Sequence, residues 1–200
     1  MIQNLQPKGS LELAFGAITG TVTGGPFDYS PQLSPETLTV KLAKEINLPC
    51  DVDLPIRDFS TPNIQLAELA LRSAIRAIKN GRPVYVGCMA GQGRTGLFLA
   101  LLVKVAQDYE LRWGENPEDA ADLLPPVEYV RKHYYAHAVE TAGQYAFVNQ
   151  FDTSDVVEFV RQIQPPKPLS PLARFARAAF ALGRALIDAG RAVLTGRPAG

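Results

Sequence analysis

The stretch Pro83–Val105, PVYVGCMAGQGRTGLFLALLVKV, decides the fold. It begins with a short β-branched run between glycines, which is typical of a buried strand. A glycine-rich turn follows from Cys88 to Arg94, and an almost wholly apolar helix begins at Thr95. A tight loop between a strand and a helix turns successive backbone N–H groups inward and adds the positive end of the helix dipole. The stretch therefore predicts an anion-binding loop.

The residues inside this loop suit a phosphate group. Gly91 and Gly93 let the backbone bend and approach a ligand where a Cβ would obstruct it. Arg94 can hold two phosphate oxygens in one plane, which Lys cannot do. Cys88 stands at the strand edge, where the amide dipoles and Arg94 favour a thiolate over a thiol. The predicted phosphate-binding residues are Met89, Ala90, Gly91, Gln92, Gly93 and Arg94.

An ATP-binding Walker loop is one alternative, because it also joins a strand to a helix through glycines. That motif is G-x-x-x-x-G-K-[ST]. Counting back from Gly93 places Cys88 at its first glycine, and Arg94 replaces its lysine. Cys-x5-Arg-Thr is instead the signature of the cysteine-dependent phosphatases, and this stretch closely resembles the compact dual-specificity and tyrosine phosphatases. A buried cysteine in an ordinary strand–turn–helix is the remaining alternative.

The segments before this loop predict an α/β fold whose central, mostly parallel sheet is flanked by helices, as in the dual-specificity phosphatases that the loop resembles. A strand is expected at Cys50–Ile56, followed by a turn-rich loop and a helix that is capped by Asn63 and ends at Asn80. Ligands of such sheets bind at the carboxyl ends of the strands. Both Asp58 and Cys88 follow predicted strands, so we expect their loops to face one crevice.

The other elements are predicted from periodicity and from Gly and Pro signals. In the N-terminal part we expect a strand at 11–18, a loop at 19–35 and a helix from Pro35 to about Ile46. A central helix from Thr95 to about Asp108 is followed by a loop at 111–116 and a short acidic helix from Pro117 to about Leu124. The last predicted elements are a helix at 126–135 and a further helix within 141–159, with Tyr145, Phe147, Val148 and Phe151 in the core.

Composition and charge fit one compact domain with an extension. The chain has 200 residues, of which 46% are hydrophobic and 20% charged, and its formal net charge is zero. Six Lys or Arg residues but a single Asp lie in 167–200. A neutral chain with a basic tail argues against a dedicated nucleic-acid binder. The two cysteines, Cys50 and Cys88, are too few for a disulfide framework. No apolar leader and no apolar run of membrane-spanning length is visible. We therefore predict a cytoplasmic protein.

A Pro-rich linker at 165–168 divides the predicted catalytic domain, 1–164, from a basic tail, 169–200. A helix in the tail would be amphipathic, with Arg174, Arg177, Arg184 and Arg191 on one face and Phe175, Leu182, Leu186 and Val193 on the other. Such a helix can lie on an anionic membrane surface, which would make the protein peripheral to a membrane. The alternative, which we favour, is that the apolar stripe within 169–195 packs on the domain or on a second copy.

The resemblance implies hydrolysis of phosphate monoesters through a phospho-cysteine on Cys88, with no metal or cofactor. Arg94 and the loop amides would stabilise the equatorial oxygens, and Thr95 would hydrogen-bond the sulfur as it leaves. In the family an aspartate on a separate loop protonates the leaving alkoxide, and Asp58 in LPIRDFSTP matches that position. Gln144, in VETAGQY, resembles the glutamine that positions water in some tyrosine phosphatases. A helix-surface glutamine is an equal alternative.

The chain departs from the family at Gly87, where a histidine usually precedes the nucleophile and supports its thiolate. Two functions therefore remain open, an active phosphatase and a phosphate-recognising module with little turnover. The variable loop positions Met89, Ala90 and Gln92 are neutral. This favours phosphotyrosine or phosphoserine/threonine side chains, or a small phosphoester, over highly charged phosphoinositides.

Overall fold

A computed structural model describes residues 6–114 and 123–165 of the chain. The strands are β1 (Gly9–Phe15), β2 (Ile18–Pro26), β3 (Leu38–Ala43), β4 (Val52–Ile56) and β5 (Val84–Cys88). The helices are α1 (Ile64–Lys79), α2 (Gly93–Trp113), α3 (Pro126–His133), α4 (Ala142–Gln150) and α5 (Ser154–Ile163), with a short 3-10 helix at Phe27–Gln32. Together they form a mixed α/β unit.

The five strands make one sheet in the order β1-β2-β5-β3-β4. Within this sheet only β1 and β2 are antiparallel, and every other pair is parallel. β5 lies at the centre with all of its residues buried, and α2 is buried from Gly93 to Val103. A strand buried on both faces reads as a continuous apolar run, as the stretch 83–86 does. The central, mostly parallel sheet flanked by helices is confirmed.

The predicted loop at 19–35 is wrong, because its first part is β2 (Ile18–Pro26). The glycines that suggested a loop are places where a side chain would collide. A Cβ at Gly20, Gly24 or Gly25 would lie 2.8, 2.8 or 2.5 Å from Ile78, Tyr134 and Tyr85 respectively. Glycine in a strand that other groups approach closely is a packing requirement, which composition alone does not reveal.

The predicted helix from Pro35 to Ile46 is also wrong, because Leu38–Ala43 is the strand β3 between β5 and β4. The Ser34-Pro35 signal is a turn, in which the N–H of Thr37 bonds to the carbonyl of Ser34 at 2.9 Å. β3 is buried at five of its six residues. A short apolar run of this kind cannot be told from a helix by periodicity, and here the position between two parallel strands decides it.

The helix after Asn63 forms as expected. The Asn63 side chain accepts a hydrogen bond from the N–H of Leu66 at 3.1 Å, and Gly81, with φ of +70°, follows the last turn. Leu66 and Leu69 have the helical spacing of an apolar face but are 43% and 58% exposed. The buried face of α1 is made instead largely by alanines together with Leu71, Ile75 and Ile78.

The C-terminal half differs from the expectation mainly in its boundaries. α2 continues to Trp113, so the predicted loop at 111 begins only at Gly114. The region 141–159 holds two helices, α4 and most of α5, rather than one. Val148 and Phe151 are buried as predicted, whereas Tyr145 and Phe147 are half-buried. The acidic helix from Pro117 lies almost entirely outside the described residues.

The described residues up to Gln164 form one compact unit. Gln164 binds the turn between β1 and β2, because its Nε2 donates to the carbonyl of Phe15 at 2.6 Å and its Oε1 accepts from the N–H of Ala17 at 3.1 Å. The amphipathic tail helix predicted at 169–200 lies outside the described residues, and the division of the chain at 165–168 stays a prediction.

Candidate active site

Cys88 is the last residue of β5 and lies at the carboxyl edge of the sheet. Its side chain is only 3% exposed, and Pro26 of β2 is its partner in the register. The chain then turns through the loop 89–92, and α2 begins at Gly93. The predicted order of strand, glycine-rich loop and helix is therefore present, with the thiol at the edge where parallel sheets bind ligands.

Gly91 is required in this loop for two independent reasons. Its φ is +70°, a conformation that residues with a Cβ seldom adopt. A Cβ at Gly91 would also lie 2.4 Å from the carbonyl carbon of Gly25 on β2. The loop is thus seated directly on the backbone of the neighbouring strand.

Arg94 is the most heavily engaged polar side chain of the site. It is 2% exposed, and its Nη1 donates to Glu45 Oε2 at 2.9 Å and to the carbonyl of Ile56 at 3.0 Å. Its Nη2 lies 2.7 Å from Glu45 Oε1 and 3.1 Å from Asp58 Oδ1. The paired contacts to Glu45 are the bidentate geometry that orients a guanidinium best. Glu45, Ile56 and Asp58 therefore fix the orientation of the Arg94 guanidinium.

Two pKa shifts follow from this pairing. Burial by itself lowers the pKa of Arg94, but the hydrogen bonds to Glu45 and the nearby charges of Cys88, Glu45 and Asp58 raise it above its ordinary value. The hydrogen bond to Arg94 lowers the pKa of Glu45 below 4.5. Both directions favour the charged forms of the pair, so the ion pair is retained well into acid.

The sequence reasoning missed Glu45. It follows β3 (Leu38–Ala43) by two residues, just as Asp58 follows β4 by two residues. Treating the segment from Pro35 to Ile46 as a helix hid this equivalence. Had the segment been interpreted as a parallel strand, a carboxylate just beyond its carboxyl end would have been a candidate for the site.

Asp58 lies on the loop after β4, and the structure brings this loop to the Cys88 loop. Its side chain is 59% exposed, and the 3.1 Å contact of its Oδ1 with Arg94 Nη2 joins the two loops. Asp58 Oδ1 also accepts from the N–H of Phe59 at 3.2 Å. Phe59 has φ of +56° and is 62% exposed, so an apolar ring stands beside the carboxylate.

Thr95 lies in the first turn of α2 and is fully buried. Among the described residues, its Oγ1 has no hydrogen-bond partner. A buried hydroxyl without a partner is uncommon in folded proteins and calls for an explanation. Its sequence position seven residues after the thiol, next to Arg94, agrees with a hydroxyl kept for the sulfur or for a bound anion.

Gln144 is fully buried near the loop and is not the helix-surface residue that the alternative interpretation expected. Its Oε1 accepts from the N–H groups of Glu140 and Thr141 at 2.9 and 3.3 Å, and with the Thr141 hydroxyl it forms a capping box for α4. Its Nε2 donates to the carbonyl of Ser60 at 3.3 Å. Gln144 therefore ties the Asp58 loop to α4.

Gly87, the departure from the family, has a structural cause. A Cβ there would lie 2.7 Å from the Cα and 2.9 Å from the N of Phe27, which begins the 3-10 helix after β2. Backbone atoms cannot move aside as a flexible side chain can. No residue other than glycine fits at this position without displacing the segment from Phe27, so a histidine here is excluded by the packing.

A groove of about 570 Å³ opens beside the Asp58 loop. Its lining is Phe59, Arg131, Ala136, His137, Val139 and Glu140. Arg131 shapes this wall, because it donates to the carbonyls of Ala138 and Val139 at 3.0 and 2.9 Å. Within residues 6–114 and 123–165, no cluster of three or more His, Cys, Asp or Glu is placed to hold a metal ion. The helices of the same residues include none that is long and apolar enough to cross a membrane.

Comparison with known proteins agrees with this geometry. Residues 36–107, from β3 into α2, match the family model described as "Tc-R-P: Polymorphic toxin system, DSP-PTPase phosphatase". The resemblance to the compact dual-specificity phosphatases is confirmed. The phosphatase-like region thus includes Glu45, Asp58, Cys88 and Arg94 within one matched segment.

Related proteins and folds extend the comparison. Two uncharacterized proteins of Methanocaldococcus jannaschii are 35% and 31% identical to this chain over 98 residues, 49% of its length. The chain spans 56% and 52% of those two relatives, about half of each. The crystal structure of kinase associated phosphatase, with its catalytic cysteine changed to serine, superposes with a TM-score of 0.51 at 15% identity, covering 79% of this chain and 98% of that one. At such identity the likeness shows the phosphatase-like fold alone.

Proposed function

We propose that this chain hydrolyses phosphate monoesters on protein side chains, phosphotyrosine or phosphoserine/threonine, through a phospho-cysteine on Cys88. The observation that carries the proposal is the 3.1 Å contact between Arg94 Nη2 and Asp58 Oδ1. It places a carboxylate from one loop beside the guanidinium that closes the Cys88 loop. A nucleophile, an anion grip and a proton donor thereby meet at one edge of the sheet.

In the first step the Cys88 thiolate attacks phosphorus. The S–P bond forms as the P–O bond to the leaving group breaks, and protonated Asp58 gives its proton to the leaving oxygen. Arg94 and the N–H groups of the loop bind the equatorial oxygens, whose charge must be stabilised as the bonds change. The bidentate hold of Glu45 on Arg94 supports this step, because a pre-oriented guanidinium need not reorganise.

In the second step water attacks the phospho-cysteine. Asp58 accepts a proton from the water, the S–P bond breaks, and the thiolate of Cys88 is released together with inorganic phosphate. The unpartnered hydroxyl of Thr95 is available to donate to the departing sulfur. For the positioning of the water, Gln144 has only its second Nε2 hydrogen to offer, because its other amide contacts bind backbone groups. We therefore propose that Gln144 acts chiefly by holding the Asp58 loop.

The groove beside Asp58 supports a protein side chain as substrate. Phe59 lines this groove and is 62% exposed, and Met89, which follows the thiol in the chain, is 47% exposed. The variable loop positions carry no positive charge. A loop with a single phosphate grip suits a phosphorylated side chain, whereas a multiply phosphorylated ligand would require additional Lys or Arg within the loop. A cytoplasmic location is part of this proposal.

A phosphate-recognising module with little turnover is the second candidate function. One observation favours it, since Asp58 Oδ1 is bonded to Arg94 Nη2 rather than standing free toward a leaving group. If that contact persisted with ligand bound, Arg94 would grip phosphate while the proton donor stayed occupied. The protein would then bind phosphorylated ligands but hydrolyse them little.

Hydrolysis of an aryl phosphate separates the two candidates. We expect the wild-type protein to release inorganic phosphate steadily and Cys88→Ser to release none while still binding phosphotyrosine peptide. Cys50→Ser is the matched control, because Cys50 is the other cysteine and lies half-buried after β3. Turnover in Cys88→Ser near the wild-type rate would refute the covalent mechanism, and peptide binding without wild-type turnover would establish the recognition module.

A further inference from the structure

The hydroxyl of Tyr134 contacts the phosphate loop. Tyr134 follows α3 directly and is 7% exposed, and its Oη donates to the carbonyl of Gly91 at 2.6 Å. Gly91 is the loop glycine with φ of +70°. The contact joins a residue 43 positions further along the chain to the carbonyl at the turn of the loop.

Two paired glycines of the sheet leave space for the Tyr134 ring. Gly9 of β1 and Gly24 of β2 are register partners. A Cβ at Gly24 would lie 2.8 to 2.9 Å from three atoms of the Tyr134 side chain, including Oη, and one at Gly9 would lie 3.3 Å from Cδ2. Each of these two adjacent strands thus has a glycine where the ring lies, so that no side chain occupies the space of the ring. Neither the function proposed above nor the resemblance accounts for this arrangement.

We propose that Tyr134 is a positioning residue for the phosphate loop, which supplies the support that this chain cannot obtain from residue 87. A trans peptide is planar, with its carbonyl and the following N–H pointing in opposite directions. Because Tyr134 holds the Gly91 carbonyl on the β2 side of the loop, the N–H of Gln92 points the other way, toward the anion site. Without the hydroxyl, the Gly91–Gln92 peptide can turn its carbonyl oxygen toward the thiolate of Cys88, and the oxygen's partial negative charge opposes an anion there.

The environment agrees with a fixed, neutral donor. Burial first, and then the neighbouring charge of Cys88, raise the pKa of Tyr134 above its ordinary value. The hydroxyl therefore keeps its proton throughout the pH range in which the enzyme would work. The role differs from that of Tyr85, whose buried hydroxyl donates to the carbonyl of Pro26 at 2.8 Å, outside the loop.

The inference rests on the proposed phosphatase function, so its test includes a measurement that does not need turnover. In a Cys50→Ser background, the rate of Cys88 alkylation by iodoacetate is followed against pH. Inhibition of this alkylation by inorganic phosphate is measured in parallel. The variants are Tyr134→Phe, which removes only the hydroxyl, and Gly24→Ala, which crowds the same hydroxyl. Tyr85→Phe is the control, because it loses a buried tyrosine–carbonyl hydrogen bond of the same kind.

We expect Tyr134→Phe and Gly24→Ala to move the alkylation midpoint up by about one pH unit and to weaken phosphate inhibition about tenfold. We expect Tyr85→Phe to lose thermal stability but to keep the wild-type midpoint. An unchanged midpoint in Tyr134→Phe, or an equal shift in Tyr85→Phe, would overturn the inference while leaving the phosphatase intact. A wild-type protein that neither binds phosphate nor hydrolyses aryl phosphate would overturn the proposed function, and this inference with it.

Discussion

The Asp58 carboxylate lies 3.1 Å from the Arg94 guanidinium, so an ion pair joins the loops after β4 and β5. Arg94 uses its other outer N–H groups on Glu45 and on the carbonyl of Ile56. Asp58 is the most exposed of these partners, with 59% of its side chain accessible. An incoming phosphate oxygen can therefore replace Asp58 on Arg94 and leave Glu45 in place. We expect phosphate binding to release Asp58 for proton transfer.

Asp58→Asn should reduce turnover by about a hundredfold or more, the scale of losing a positioned general acid. The loss should be smallest for substrates whose leaving group needs no proton. Inorganic phosphate should bind the variant at least as well as the wild type, because a neutral amide competes less strongly for Arg94 than the carboxylate does. Steady-state kinetics on aryl phosphates of graded leaving-group pKa would measure this, with Asp155→Asn on the exposed face of α5 as the control. Equal losses for good and poor leaving groups would make Asp58 structural.

Glu45→Gln should destabilise the protein at neutral pH and raise KM for phosphate esters, because Arg94 loses its bidentate partner. The pKa of Glu45 is lowered in the folded state, so its contribution to stability is present above its ordinary value of 4.5 and is lost as the pH falls through the lowered folded pKa. The difference in Tm from the wild type, about 2–4 °C for each 1 kcal/mol, should therefore be full at pH 7 and vanish in acid. The exposed Glu36→Gln should show no difference at either pH, and a difference that persisted in acid would contradict the ion-pair account.

Gly87→Ala should lower Tm by about 5 °C or more, because the new Cβ would meet the backbone of Phe27 at 2.7 Å. Gly143→Ala is the control, since a Cβ there meets only Thr141 Oγ1 at 3.8 Å and alanine favours the helix α4. Thermal melts of the two variants would decide the matter. If Gly87→Ala were as stable as the wild type, the segment at Phe27 could yield, and Gly87→His would become a fair test of thiolate support.

A chain ending at Gln164 should hydrolyse aryl phosphate like the full chain, whereas a chain ending at Ile163 should melt about 2–4 °C lower. The reason is that Gln164 makes two hydrogen bonds to the turn between β1 and β2. The full chain and the chain ending at Gln164 together test the tail. If residues 169–195 seek membranes, only the full chain should bind anionic vesicles, and salt should weaken that binding. If the stripe packs on the domain or on a second copy, removal should instead change the Tm or the oligomer.

The local sequence was sufficient for the central unit of this protein. Pro83–Val105 specifies a strand, a loop and a helix through its β-branched run, its glycines and its long apolar run, and β5 and α2 form there as expected. Asn63 and Gly81 likewise bound α1 through short-range hydrogen bonding and backbone freedom. Signals of this kind are read correctly because the interactions that satisfy them lie within a few residues.

Long-range packing decided the rest. β2 looks like a loop until the side chains of Ile78, Tyr134 and Tyr85 are known to occupy the space above its glycines. β3 looks like a helix until it is placed between β4 and β5, and only then does Glu45 come to the Arg94 guanidinium. The spacing of Cys88 and Arg94 was visible in the chain because seven consecutive residues make the loop. Glu45, Tyr134 and the contact of Phe27 with Gly87 were not, because each joins residues 43 to 60 positions apart, a separation over which local propensity and periodicity carry no information about contact.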